Sequence, residues 1–174
     1  MVPDVICLGK ALTGGFPLSA CVGRADVMDA AWPASTGEAI HTSTFLGHPV
    51  GCAMALAQIA EIKTEKLVER SAAMGKVLSA KLAGLRLENF KLEPRTIGLM
   101  AGLEICRDDG SPATDESLRV IKEMLRRGFI LLPEGEHSNV ISFTPPLTIS
   151  AAQLSRMVKV LGEVFAQMEK GRRG

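Results

Sequence analysis

The longest regular pattern in the chain is a helical one just before its midpoint. Alanine, leucine, glutamate and lysine dominate residues 50–85, and Pro49 suits the first position of a helix. Apolar residues recur there at helical spacing, with charged residues between them. These apolar residues are Leu67, Met74, Leu78 and Leu82. We therefore predict a helix with one face on a core and a bend at residues 64–66.

Shorter patterns precede this helix. The apolar run at residues 5–8 is ended by Gly9, which predicts a strand buried on both faces of a parallel sheet. A second strand is expected at residues 19–23 and a short helix at residues 25–32. Residues 33–48 are polar, contain glycine and lack a period. A segment of that length without regular structure is typical of a binding loop.

The second half of the chain has a different rhythm of short strands and two amphipathic helices. We predict strands at residues 99–106, 129–132 and 140–144, and helices at residues 115–127 and 151–170, the first of them ended by Gly128. The pattern changes between residues 85 and 94. We therefore place a domain boundary there, with residues 1–88 in a first α/β domain and residues 89–174 in a small α+β domain.

Charge and composition narrow the possible partners. The 174 residues contain 20 basic and 19 acidic residues, so the net charge of +1 provides no basic surface for nucleic acid or an anionic membrane. No apolar run is long enough to span a bilayer, and the N-terminus does not have the pattern of a secretory signal. We expect a soluble, cytoplasmic protein with no nucleic-acid or membrane partner.

The cysteines and histidines do not suggest a metal site. The four cysteines, Cys7, Cys21, Cys52 and Cys106, stand singly in apolar stretches without a C-x-x-C pair. We expect reduced thiols in the core rather than redox or metal ligands. The three histidines lack the spacing of a metal site and are interpreted as loop or capping residues.

Lys10 is the residue with the clearest chemical potential. It follows the first predicted strand and precedes a loop rich in glycine, so a sheet edge would hold its amine in a crowded place. Burial lowers the pKa of a lysine ammonium and exposes an amine that can form a Schiff base. Local pattern alone leaves an ordinary exposed lysine as the commoner interpretation. A phosphate-binding P-loop is excluded, because Asp4 stands where its first glycine belongs.

A wider motif around Lys10 changes this interpretation. Residues 3–20 read PDVICLGKALTGGFPLSA. This segment resembles the signature of class III pyridoxal-phosphate (PLP) aminotransferases, in which a short strand leads into the lysine that binds the cofactor. The resemblance implies that Lys10 is the catalytic residue and holds PLP as a Schiff base.

A second motif follows at residues 41–57, HTSTFLGHPVGCAMALA. It is similar to the segment of the same family whose threonine reaches the PLP phosphate of the partner subunit. The resemblance therefore implies a homodimer in which Thr44 makes that contact, with Ser43 as a further cofactor-binding residue. A hydroxyl beside backbone N–H groups can donate charge-assisted hydrogen bonds to a phosphate. Taken alone, a loop hydroxyl that caps a helix is the commoner interpretation.

Two further matches lie in the small domain. Residues 95–104, RTIGLMAGLE, resemble a family segment whose roles are largely structural. Residues 139–150, NVISFTPPLTIS, resemble a segment in which many members carry an arginine that clamps a substrate carboxylate. Ser142 occupies that position, and serine cannot make the two-pronged contact. The substrate is therefore not assigned from the resemblance.

Together these matches identify the chain as resembling the C-terminal portion of such an aminotransferase. The implied fold is α/β: the end of a PLP-transferase type I large domain, with a parallel or mixed sheet and helices, followed by a small α+β C-terminal domain. The implied reaction moves an amino group from an amine or amino acid to a keto acid or aldehyde. The family's D-E-x-Q strand, whose acid contacts the pyridine nitrogen, is not found in the sequence. A folded but inactive, self-associating fragment, or a PLP aminomutase or racemase, are therefore alternatives.

Overall fold

The computed structural model describes residues 2–32, 34–38 and 41–171. The strands are β1 (Val5–Leu8), β2 (Ala20–Gly23), β3 (Phe90–Ile97), β4 (Met100–Arg107), β5 (Leu132–Glu134) and β6 (Val140–Phe143). The helices are α1 (Ala25–Ala31), α2 (Pro49–Thr64), α3 (Leu67–Ala83), α4 (Thr114–Arg126) and α5 (Ala151–Lys170). The chain forms two compact units that divide between Lys66 and Leu67. No helix in the described part of the chain is long and apolar enough to cross a membrane.

The first unit contains a two-stranded ribbon, and its geometry differs from the prediction. Strands β1 and β2 pair antiparallel, and the side chains of β1 are exposed rather than buried on both faces. The connection at residues 9–19 contains only a short 3-10 turn at Lys10–Leu12. A parallel partner would need a longer crossover, usually a helix. The connection therefore returns the chain beside β1 in the opposite direction.

The predicted long helix and its bend are confirmed as α2 and α3. Pro49 lies in the first turn of α2, where a missing N–H costs nothing. The helix ends at Thr64, and Lys66 has a positive φ of 49°, which turns the chain before α3 begins. The bend at residues 64–66 is thus a break between two helices.

The second unit is an antiparallel sheet with strand order β3-β4-β6-β5. Helices α3, α4 and α5 supply apolar side chains to the same core as its inward-facing residues. Along β4, buried Ala101, Leu103 and Ile105 alternate with partly exposed residues, as expected for a sheet with one covered face. Helices α4 and α5 lie where the sequence predicts them, whereas β5 begins three residues later than expected.

Two features of the second unit were not predicted. Strand β3 occupies much of the expected domain boundary and pairs with β4 along its whole length. Helix α3, assigned to the first domain, packs into the second unit, where Leu78 and Leu82 are 0% exposed. The units therefore divide at Lys66 rather than near residue 88. The cause is that the apolar face of α3 covers the sheet that follows it in the chain.

The start of α5 gives a first testable prediction. The Ser150 hydroxyl accepts a hydrogen bond from the Gln153 N–H at 3.2 Å, and the Gln153 side chain accepts one from the Ser150 N–H at 2.9 Å. We expect Ser150→Ala to lower the free energy of unfolding by about 1 kcal/mol, because the Gln153 N–H loses the hydroxyl that accepts its hydrogen bond. Urea unfolding followed by circular dichroism measures the change.

Ser155→Ala is the matched control for this cap. The Ser155 hydroxyl donates to the Ala151 carbonyl at 2.7 Å inside the same helix, where such a bond adds little stability. Equal losses in the two variants would contradict a specific role for the cap.

Candidate functional site

Lys10 lies at the start of the connection between β1 and β2, two residues after β1 ends. It begins the 3-10 turn, in which the Leu12 N–H donates to the Gly9 carbonyl at 3.1 Å. Its backbone φ is 47°, a left-handed conformation that is uncommon for a residue with a side chain. Such strained positions cluster at functional sites. The side chain is exposed, so the described residues do not bury the amine as the sequence led us to expect.

Contacts of Thr13 and Phe16 hold the rest of this connection in place. Thr13 is buried, and its hydroxyl donates to the Phe16 carbonyl. Phe16 in turn packs on α2: a Cβ added to Gly51 would lie 3.2 Å from its ring. The Phe16 ring also lies 5.1 Å from the ring of His48, measured between centroids. The lysine turn is therefore carried by a loop that rests on the start of α2.

A depression of about 1110 Å³ opens beside the lysine turn within the first unit. Lys10 and Ser43 both line it, so the structure brings together these two residues of the predicted site. Thr44, the next residue, is exposed at the start of the turn at residues 44–47 and does not line the depression. Three aromatic residues, Phe16, Trp32 and Phe45, also contribute to the wall.

The exposure of the cysteines contradicts the prediction that they are core thiols. Cys7, Cys21 and Cys52 are exposed, and Cys106 is half-buried, so the described structure does not hold them as core thiols. The exposure follows from the ribbon, because the apolar runs that contain Cys7 and Cys21 are not covered on both faces. Cys7 and Cys21 line the same depression as Lys10. Sequence reasoning missed them, since cysteines in apolar runs are usually buried.

His48 precedes α2 and differs from its neighbours in having a buried nitrogen without a partner. Its Nδ1 atom is buried and has no hydrogen-bond partner among the described residues. The ring lies near the rings of Phe16 and Phe45, whose centroids are 5.1 and 6.0 Å from its own. It does not cap α2 with its side chain, which was one interpretation of the sequence.

The two motifs of the second unit occupy its sheet. Residues 95–104 form the hairpin of β3 and β4, in which Arg95 Nη1 pairs with Glu104 Oε2 at 2.8 Å. Ser142 lies on β6 opposite Gly102, half-buried, at the wall of a groove of about 540 Å³. The guanidinium of Arg156 lies 5.7 Å from the centroid of Phe129 in the same groove.

The residues of the depression can be tested against the implied cofactor. An amine and a hydroxyl, on Lys10 and Ser43, are the groups that an aldehyde and a phosphate require. The volume is ample for a small planar ligand. The described lining contains no aspartate or glutamate to contact a pyridine nitrogen. The residues present thus fit the aldehyde and phosphate ends of PLP and leave its ring nitrogen without an acid.

Known proteins of similar sequence belong to the family that the motifs indicate. The model of the class III aminotransferase family matches residues 1–165. A 5-aminovalerate aminotransferase of Pseudomonas aeruginosa is 35% identical over 97% of this chain and 39% of its own length. A leucine/methionine racemase of Thermococcus litoralis is 34% identical over 99% of this chain and 38% of its own length.

Solved structures agree with the sequence relatives. An amine transaminase from an uncultivated Pseudomonas species, in a PLP-bound form, is 32% identical and superposes with a TM-score of 0.83. The match covers 95% of this chain and 38% of that one. The chain therefore spans about two fifths of the length of the relatives it matches.

Proposed function

The chain belongs to the class III aminotransferases, since the family's model matches residues 1–165, and we propose that it forms the C-terminal part of a PLP-dependent transaminase. Such an enzyme transfers an amino group from an amine or amino acid to a keto acid or aldehyde. The observation that carries the proposal is the position of Lys10, in a left-handed turn at the wall of the depression that Ser43 also lines.

Lys10 is proposed to act first as a tether. PLP, when bound, supplies an aldehyde for attachment and a ring that stabilises negative charge at the substrate carbon. The amine of Lys10 is exposed at the wall of the depression and has space to reach such a ligand. Thr13 and Phe16 hold the loop that carries Lys10 and so fix the position of the lysine backbone.

The same amine is proposed to act as a base. With the cofactor bound, Nζ of Lys10 would accept a proton from the substrate α-carbon and return it at another position. A lysine fixed only through its backbone suits this role, because its flexible stem moves Nζ between two atoms. The side chain of Lys10 is exposed, so Nζ has space to move.

Ser43 and Thr44 are proposed to contact the cofactor phosphate. The Leu46 N–H donates to the Ser43 carbonyl at 3.1 Å and so closes the turn that carries both hydroxyls. Ser43 lines the depression of its own chain, whereas Thr44 is exposed beside it. This arrangement supports a homodimer in which Thr44 reaches the phosphate bound by the partner subunit.

Two other functions are favoured by particular observations. The 34% identity to a racemase supports a reaction in which the same lysine returns the proton to the α-carbon without amino transfer. The lack of an acid in the described lining, together with a match to 39% of a relative's length, supports an inactive, self-associating fragment. The substrate class stays open in each case, because Ser142 lacks the charge of a carboxylate clamp.

Reductive labelling tests whether the chain holds PLP at the proposed position. The 174-residue chain is incubated with PLP below one equivalent, reduced with borohydride, digested and mapped by mass spectrometry. We expect the label predominantly on Lys10, because that amine lies beside a depression that can hold the ring and phosphate. A label distributed over many surface lysines would refute a cofactor site in this chain.

Activity assays then separate the three functions. A label on Lys10 and a measured amino transfer from a donor to a keto acid would together support the transaminase. Loss of optical purity from enantiopure leucine, without a keto acid, supports the racemase. Label at Lys10 with neither reaction supports the inactive fragment.

A further inference from the structure

Cys7 and Cys21 face each other across the ribbon of the first unit. The register of β1 and β2 places them directly opposite. Residues that are directly opposite in an antiparallel pair project from the same face. Both thiols are free and exposed, and both line the depression beside Lys10.

The strand geometry matches the requirements of a disulfide. The Arg24 N–H donates to the Asp4 carbonyl at 3.0 Å, which makes these two residues a hydrogen-bonded pair at the end of the ladder. Hydrogen-bonded and non-hydrogen-bonded pairs alternate along antiparallel strands. Three residues further along β1, Cys7 and Cys21 therefore form a non-hydrogen-bonded pair, in which the Cα atoms are about 4.5 Å apart. Disulfides join Cα atoms about 4.4–6.8 Å apart, so no backbone movement is needed.

The two thiols already interact. The pKa of Cys21 is raised by desolvation, by a hydrogen bond with the Cys7 side chain and by charge repulsion from Cys7. A raised pKa means that less thiolate is present at neutral pH than for an ordinary cysteine. Because the thiolate is the attacking form, oxidation of the pair should become faster as the pH rises toward the thiol pKa.

The other cysteines lie in different settings. Cys52 is exposed on α2, outside the ribbon. Cys106 is half-buried on β4 of the second unit, where its sulfur accepts a hydrogen bond from Asn139 at 3.8 Å. The cross-strand position is thus specific to Cys7 and Cys21 and leaves two cysteines as internal controls.

We propose that Cys7 and Cys21 form a reversible cross-strand disulfide that ties together the two ends of the segment carrying Lys10. Oxidised glutathione, a low-molecular-weight disulfide, serves as the oxidant. One thiolate attacks it and releases one glutathione thiol, and the second thiolate then displaces the other. Two protein thiols become one S–S bond, and two glutathione thiols carry the hydrogens away. The inference does not depend on PLP.

The bond would act on the lysine loop through its ends. Residues 7–21 become a closed ring whose two strands can no longer separate, while the antiparallel register is kept. Both sulfurs belong to the wall of the depression, so the same bond removes two thiols from the surface near Lys10. A reducing agent restores the open form.

Thiol counting on the intact chain tests the proposal. The chain is treated with oxidised glutathione at pH 8, denatured, alkylated and weighed, and its peptides are mapped without reduction. We expect two alkylated cysteines instead of the four in the sequence, and one cross-linked peptide pair joining β1 to β2. Dithiothreitol should return the count to four. Four alkylated cysteines after oxidation, or glutathione attached to Cys7 or Cys21, would refute the disulfide.

Matched variants identify the pair. Cys52→Ser should still form the bond and retain one alkylated cysteine, whereas Cys21→Ser should form none and retain three. A cross-link between two chains, or one that involves Cys52, would also overturn the proposal. The mapping of the unaltered chain stands even if Cys21→Ser fails to fold.

Discussion

Lys10→Ala is expected to remove the predominant PLP label and reduce the total label per chain to that of ordinary surface lysines. The physical reason is that an amine must lie beside a cavity that holds the ring and phosphate, and Lys10 meets this condition in the first unit. If the chain supports turnover, the turnover rate of the variant should be about 10²–10⁴-fold lower. This is the range for removal of a positioned proton-transfer group.

Lys66→Ala provides a closely matched control. Lys66 is also exposed, also has a positive φ, of 49°, and belongs to the same unit, but it does not line the depression. Its replacement should leave the label on Lys10 unchanged. Lys10→Arg keeps a cation but cannot attach to the aldehyde, so it should behave like Lys10→Ala. Equal labelling of Lys10→Ala and the unaltered chain would remove the basis for the proposed site.

Gly75→Ala is expected to destabilise the second unit by about 1–3 kcal/mol or more, the range for overpacking a close contact. Gly75 is buried on α3, where a Cβ would lie 2.2 Å from the Gly98 carbonyl oxygen and 2.6 Å from its Cα. These are backbone atoms, so no side-chain rotation can relieve the clash. The usual helical gain from alanine is smaller than this cost.

The contact fixes the β3–β4 turn on the helix. Gly98 has a φ of 56°, and the Leu99 N–H donates to the Ser71 hydroxyl at 3.1 Å. Gly162→Ala on α5 is the control, because its Cβ would lie an ordinary 3.5 Å from Leu85. We expect that variant to be neutral or slightly more stable in urea unfolding. A Gly75→Ala transition that coincides with that of the unaltered chain would contradict the close approach.

Elements with a local signal could be predicted from the sequence. Helix α5 is recognisable because its apolar residues share one face and Ser150 and Gln153 form a capping pair. The break between α2 and α3 is recognisable from the polar residues at positions 64–66. Lys10 was identified by its surrounding motif, although its left-handed backbone was not.

Features that depend on distant partners could not be predicted. Strand β3 alternates inward and outward residues, but Pro94 disguises it, because proline is rare in strands away from a sheet edge. The sequence of α3 does not reveal which sheet its apolar face covers. Gly75 reads as a weak point in a helix until the turn at Gly98 is placed against it. The shared position of Cys7 and Cys21 requires the register of the ribbon.

The prolines of the second sheet have a consequence for solubility. In the described part of the chain β3 and β5 are its outer strands, and each contains a proline, Pro94 and Pro133. Unpaired N–H and C=O groups on an outer strand can recruit a strand from another molecule, and proline removes one of the donors. Strand β3 also carries outward charges on Lys91 and Arg95. Both borders of the sheet are thereby protected against the edge-to-edge stacking that leads to amyloid-like aggregates.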